Sequence, residues 1–386
     1  MIPRRARVLR LRRLIGILLA AVPCCASAQV VVKVNDDVQF RLGTLLQGWG
    51  DWTQDPVSEG YAANFFLRRI RFIVSGTIAR DVSFFFQTDN SRLGNAGLTG
   101  TKNLATGFLV QDAFGEWKFA GDKGILGIGL LYTPQSRGVL DSSSSNLTFD
   151  APSFGTQQNA FVQGSSGRDV GVQLKGYLLA EHLEYRAGVF DGVREPATPA
   201  GAGSRNSFRA AARLQYDVFD VEKGYTYVGT NRGAKKILAI GAWGDAQGDF
   251  KAWGADVMAD IPVGKDAVTL EADYLYYNGG SEFQTVVGSI VTPLLPPQDV
   301  LFAQGGFYFH IVAMQPWVRF ETLNFREDRF QTGNQKRYAG GFNWYVVGQN
   351  FKVTAFYERI VPKASAATAS IKNTNHFGIQ LQFYYF

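Results

Sequence analysis

The sequence predicts an all-β fold, a transmembrane antiparallel β-barrel of about 16 strands. Three observations carry that prediction. Apolar residues recur with period two almost throughout, no later stretch is long and apolar enough for a spanning helix, and the chain opens with an export address.

The address comes first in the chain. Arg4, Arg5, Arg7, Arg10, Arg12 and Arg13 precede the apolar run "LIGILLAAV", and "ASA" follows just before Gln29. That order reads as a signal peptide over residues 1–28, cleaved to leave a barrel domain over residues 29–386. Cys24 and Cys25 both fall in the leader, so the mature chain has no thiol, which excludes disulfides and cysteine-ligated metals. Pro23 is not the small residue that a lipidated Cys24 needs before it. Removing the six leader arginines from 39 Lys+Arg leaves 33, equal to the 33 Asp+Glu. The mature protein is neutral, and nothing in its charge supports a nucleic-acid partner.

The strands follow in order. In "VQFRLGTLLQ", Val38, Phe40, Leu42, Thr44 and Leu46 form an apolar face, with Gln39, Arg41, Gly43 and Gln47 opposite. In "FFLRRIRFIVSG" and the residues after it, Phe66, Ile70, Phe72, Val74 and Ile78 face lipid, which sends Arg69, Arg71, Ser75 and Thr77 to the other side. Arg68 breaks this alternation and is expected to snorkel to the membrane interface. The same theme recurs in "DVSFFFQTD", "FLVQDAFGEWKF", "GILGIGLLY", "RDVGVQLKGYLL", "EHLEYRAGVF", "NSFRAAARLQY", "KILAIGAWGD", "FKAWGADVMAD", "DAVTLEADYLYY", "FAQGGFYFHIV", "PWVRFETLNF", "KRYAGGFNWYV" and "FKVTAFYERI". The terminal "HFGIQLQFYYF" sets Phe377, Ile379, Leu381 and Phe383 against Gln380 and Gln382, and ends on Phe386, which resembles the assembly signal of bacterial outer-membrane barrels.

Connections alternate roughly between short, as in "AR" and "GDK", and long, as over residues 134–167. This asymmetry fits short periplasmic turns and longer outside loops. An open sheet in hydrocarbon would leave edge groups unpaired at several kcal/mol each, so the sheet must close on itself. A secreted β-sandwich or propeller fits less well, because no blade repeat is visible and so many strands with one apolar face would overfill a sandwich core.

Nine fragments stand in order along the chain: "RRIRFIVSGTI", "FFFQTD", "QDAFGEWKF", "YTPQSRGVLDSSSSNLTFDAPSF", "GRDVGVQLKG", "YRAGVFDG", "FRAAARLQYD", "QPWVRFE" and "RYAGGFNWYVVGQNFKVTAFYE". In that order of fragments the chain resembles the phosphate-selective porin O and P family. The resemblance implies an outer-membrane porin of sixteen strands, commonly trimeric, whose third external loop folds inward as the constriction. Its cargo would be small hydrophilic solutes, anions such as phosphate among them, although fold alone does not fix cargo.

A channel of this size is aqueous, so its narrowest ring decides what passes. By alternation, Arg41, Arg69, Arg71, Lys175, Arg186, Arg209 and Arg213 point inward, and Arg137 lies in the constriction loop with Asp141, Ser142, Ser143, Ser144, Ser145 and Asp150. Inward acids include Asp112, Glu116, Glu184, Glu271, Asp273 and Glu321, so the wall is mixed. Two readings of the arginines stand side by side. They contact passing anions as guanidinium forks, or they pair with neighbouring acids as struts, the latter fitting Arg41 and Arg209 better.

Enzyme chemistry has little footing. His182, His310 and His376 are scattered, accompany no nucleophile motif and suggest neither metal nor cofactor. Two rival functions are a barrel sheath around a periplasmic or electron-transfer partner, and an outer-membrane barrel hydrolase. Lipid is a partner in every case.

Overall fold

The computed structural model describes residues 30–98, 100–155, 167–192, 207–280, 284–287, 290–293, 295–363 and 372–386. The proposed leader, residues 1–28, lies outside them. Sixteen strands form the wall: β1 Gln39–Gln54, β2 Tyr61–Ala79, β3 Val82–Leu93, β4 Leu109–Trp117, β5 Ile125–Tyr132, β6 Arg168–Leu178, β7 Leu183–Phe190, β8 Arg209–Asp217, β9 Ile237–Gln247, β10 Phe250–Val263, β11 Asp266–Asn278, β12 Gln298–Tyr308, β13 Met314–Phe325, β14 Gln335–Gln349, β15 Phe351–Pro362 and β16 Thr374–Tyr385. Each overlaps one of the sixteen segments read from the sequence.

Every consecutive pair is antiparallel, and β1 pairs with β16 from Thr44 opposite Tyr385 to Thr53 opposite His376, which closes the barrel. The short strand Val30–Lys33 extends that seam by pairing with the start of β1. Closure satisfies the ladder without an exposed edge, as hydrocarbon requires.

Alternation places the side chains. Along β8, Ala210, Ala212, Leu214 and Tyr216 face outward while Arg209, Ala211, Arg213, Gln215 and Asp217 are buried. On β16, Phe377, Ile379, Leu381 and Phe383 are exposed and Gln380 and Gln382 are enclosed, as the sequence implied. Trp52 stacks on Phe377 at 5.4 Å near one rim and Trp117 meets Phe119 at 5.7 Å near the other, placing aromatics at both interfaces. The terminal Phe386 turns inward, edge-on to Phe85 at 6.1 Å.

A β-bulge corrects two expectations on β2. Gln47 of β1 pairs with Arg69 and the next residue, Gly48, pairs with Leu67, so Arg68 is the extra residue. Beyond the bulge the parity reverses. Phe66, expected on the lipid face, is only 3% exposed in the interior, and Phe65 takes the outer face at 80%. Arg68 therefore does not snorkel; its Nε donates to Asp150 Oδ2 inside the barrel at 2.9 Å. Three arginines in four positions all point into the lumen.

Among the described residues, two connections run deep into the barrel. Residues 133–155 follow β5 inward and carry one turn of helix, α1 Arg137–Leu140. From the opposite end comes the β8–β9 connection, residues 218–236, a long exception on the side where short turns were expected. The two meet mid-barrel, where Ser142 N–H donates to Tyr227 O at 2.9 Å and Tyr227 N–H donates to Leu140 O at 3.1 Å. Leu147 and Phe149 pack with Trp49, Phe66, Trp317 and Phe356, and Phe154 packs with Trp243 and Leu275. Burying each of these large loop side chains stabilises the inward position by about 1.5–3 kcal/mol.

Candidate functional site

With one side of the lumen packed, open space runs along the other. A cavity of about 730 Å³ at the long-loop end is lined by β1–β6, β14–β16 and the inward loop, including Arg68, Arg69, Arg71, Asp89, Asp150 and Arg168. A second, about 290 Å³, shares Arg71, Tyr132, Ser143 and Arg168 with the first. A third, about 240 Å³, lies toward the short-turn end and shares Ser75, Phe85 and Tyr225 with the second. Arg71, Tyr132, Ser143 and Arg168 stand at the junction of the first and second cavities.

Each arginine at this junction is held. Arg71 donates to Asp89 Oδ2 at 3.0 Å and to Ser143 Oγ at 2.7 Å, joining the wall to the serine run of the loop. Arg168 lies over the Tyr132 ring at 3.6 Å and donates to Asp112 Oδ1 at 3.0 Å, while Tyr225 from the β8–β9 connection donates to the same oxygen at 2.5 Å. Just above, Arg69 donates to Gln47 Oε1 at 2.8 Å and, with Arg68, grips the Asp150 carboxylate. Burial pushes the Asp150 carboxyl up, but the Arg68 and Arg69 guanidiniums outweigh it and hold the group below the ordinary carboxylate range.

In the first cavity Arg68, Arg69, Arg71, Arg92, Arg168 and Arg337 face Asp51, Asp89, Asp141, Asp150 and Glu358, six arginines against five carboxylates. A low-dielectric wall strengthens so small an imbalance.

The model of the family described as phosphate-selective porin O and P matches residues 45–225 and 310–385. The chain belongs to the phosphate-selective porin O and P family. As a member of that family it is an outer-membrane porin, and the matched regions carry most of β1, all of β2–β8, the inward loop and β13–β16. Solved structures of similar fold include OmpF of Salmonella typhi in complex with daunomycin, 14% identical with a TM-score of 0.59, covering 92% of this chain and 100% of that one. OmpT of Vibrio cholerae in its trimer form is 11% identical at TM-score 0.54, covering 90% and 100%, and the outer membrane channel DcaP of Acinetobacter baumannii is 12% identical at 0.54, covering 92% and 99%. At these identities the likeness is one of fold. No curated protein matches the porin's sequence.

Of the residues singled out from sequence, Arg69, Arg71, Asp141, Ser143 and Asp150 line the porin's first cavity, Ser142 and Ser144 the second, and Arg41 the third. Arg137, Lys175, Arg209 and Arg213 line none of these three. Arg137 is fully buried and makes a two-armed pair with Glu222 at 2.6 and 2.9 Å. Arg213 pairs with Asp256 at 2.5 and 2.7 Å and also holds Tyr227 Oη and Gln135 O. Arg209 pairs with Asp245, and Lys175 with Glu116 at 2.8 Å. Ser145 Oγ donates back to Ser142 O at 3.2 Å within the run.

Sequence reasoning missed Arg168, because alternation gives its position to the lipid face. The chain leaves the wall at the β5 and β6 ends, so Arg168 and its cross-strand partner Tyr132 turn inward together. The β8–β9 connection was also missed, though two tyrosines in "GYTYVG" were a signal that it buries itself.

Asp141 gives the loop a pH response. Burial pushes its carboxyl up from 3.8 to about 6; Arg137 opposes this, Glu222 and Asp256 reinforce it, and Arg213 opposes it. A carboxyl whose folded value is raised favours the docked loop when protonated. That contribution is present below about pH 4 and is lost as pH rises toward 6. Acidifying from pH 7 to 5 should therefore reduce open-channel current noise, and Asp141→Asn should remove the dependence; equal noise at both pH values in the native channel would contradict it.

Proposed function

We propose that this porin is a passive channel for small hydrophilic solutes with a preference for anions, phosphate among them. The observation that carries the reading is the row of three cavities from the long-loop end toward the short-turn end, with Arg71, Tyr132, Ser143 and Arg168 at the first junction and arginines outnumbering carboxylates in the first cavity. Guanidinium forks match carboxylate and phosphate oxygens. The chain's own loops occupy the side of the barrel that a protein partner would need, which favours small solutes over a sheath, and the reading invokes no catalytic step. Residues 1–28 serve as the export signal, and a homotrimer is the proposed assembly, supported by the trimer form of Vibrio cholerae OmpT.

The test is the reversal potential of the mature protein in a planar bilayer across a KCl gradient, followed by phosphate titration. Chloride preference with phosphate reducing the chloride current is expected. Cation preference without block would reduce the arginines to struts.

A further inference from the structure

The inward loop places an unusual pair of groups on the floor of the first cavity. Phe149 stacks on Phe356 at 4.2 Å and 11° and lies 5.9 Å from Trp49, and the next residue, Asp150, presents its carboxylate to two arginines at once. Arg68 contributes Nε at 2.9 Å and a second nitrogen at 2.7 Å on one oxygen, and Arg69 contributes one at 2.5 Å on the other. Together they form a flat ring beside a carboxylate, bound by an aromatic stack beside a guanidinium clamp. The clamp is not sealed, for the Arg68 and Asp150 side chains are 19% and 16% exposed and both line the open cavity.

We propose that this floor is a binding site for organic anions carrying a carboxylate on a flat apolar body, and that Phe149 and Asp150 occupy it as a tethered stand-in. The inference rests on the anion-channel reading and names its substrate class. A carboxylate matches the two-arginine clamp as Asp150 does, and a ring gains from the same aromatic faces. Inorganic phosphate uses only the clamp. A cavity of about 730 Å³ falls in the size range of small-molecule sites. Because the stand-in is tethered, it competes at high effective concentration, so free anions bind weakly and leave quickly, as conduction requires.

The test measures block of chloride current by benzoate, acetate and phosphate in planar bilayers. Benzoate should half-block at about three- to tenfold lower concentration than acetate, the factor contributed by one aromatic contact. Asp150→Asn should strengthen block by both carboxylates in similar proportion. Phe149→Ala should strengthen benzoate and leave acetate unchanged, with heat-modifiable gel mobility reporting that each variant is folded. An anion-preferring channel in which all three probes block alike, or in which Phe149→Ala weakens benzoate, overturns this inference alone. A channel without anion preference overturns the reading beneath it.

Discussion

Replacing Arg137 by alanine should raise single-channel conductance several-fold and make the open current noisy. Arg137 is the joint between the two connections that fill the lumen. Its guanidinium carries both arms of the Glu222 pair, donates to Val228 O at 3.0 Å and lies 4.9 Å over the Tyr227 ring, while its own N–H donates to Asp256 on the wall. The next amide, Gly138 N–H, donates to Asp273 Oδ2 at 2.8 Å. Removing one partner of a buried pair costs on the order of 3–5 kcal/mol, because the other charge is left without compensation. The stranded Glu222 carboxylate favours release of residues 218–236 toward the short-turn end. The packed side of the barrel then becomes a second aqueous path. Wall strands keep their ladder, so heat-modifiable gel mobility stays native. Arg329→Ala, which breaks an exposed pair with Glu327 in an outer loop, should leave conductance unchanged. Native conductance in Arg137→Ala would mean that apolar packing by Leu147, Phe149 and Phe154 suffices to hold the loop.

The contrast between wall and filling also explains what the sequence discloses. Strand existence is legible because lipid demands one apolar face, and stretches of period two recur along the wall. Parity along a strand is legible only between bulges. At Gln47 and Gly48 one inserted residue reverses the outward set of β2, and no composition marks it; only the otherwise costly Arg68 on a lipid face hints that the alternation has slipped. The candidate site is legible in part for the same reason. Arg69 and Arg71 fall below the bulge and are found by counting, whereas Arg168 lies where the chain leaves the wall and counting fails. Which inward arginine meets solvent and which is buried under the loops depends on contacts between residues as distant as Arg137 and Glu222, which no local pattern encodes.

The double variant Arg69→Ala with Arg71→Ala should invert the ion preference of the channel. In the native cavity each of these guanidiniums neutralises a carboxylate that also faces the path, Asp150 for Arg69 and Asp89 for Arg71. Deleting both leaves Asp150 to Arg68 alone and Asp89 without its ion pair. The lining then passes from six arginines against five carboxylates to four against five. Because these charges line a cavity walled by protein, that change acts on the ions that pass, and the reversal potential across a KCl gradient should change sign. The effect should be largest at low salt, since the screening length is about 10 Å at 0.1 M and 30 Å at 0.01 M. Adding Asp89→Asn to the pair removes the carboxylate left without its ion pair and should move the potential back toward the native value. Strut and contact readings part at this point. If the arginines only brace the wall, the double variant loses gel mobility or conducts with disordered currents and the third substitution does not restore selectivity; if they face the ions, the barrel stays folded and selectivity follows the count of charges.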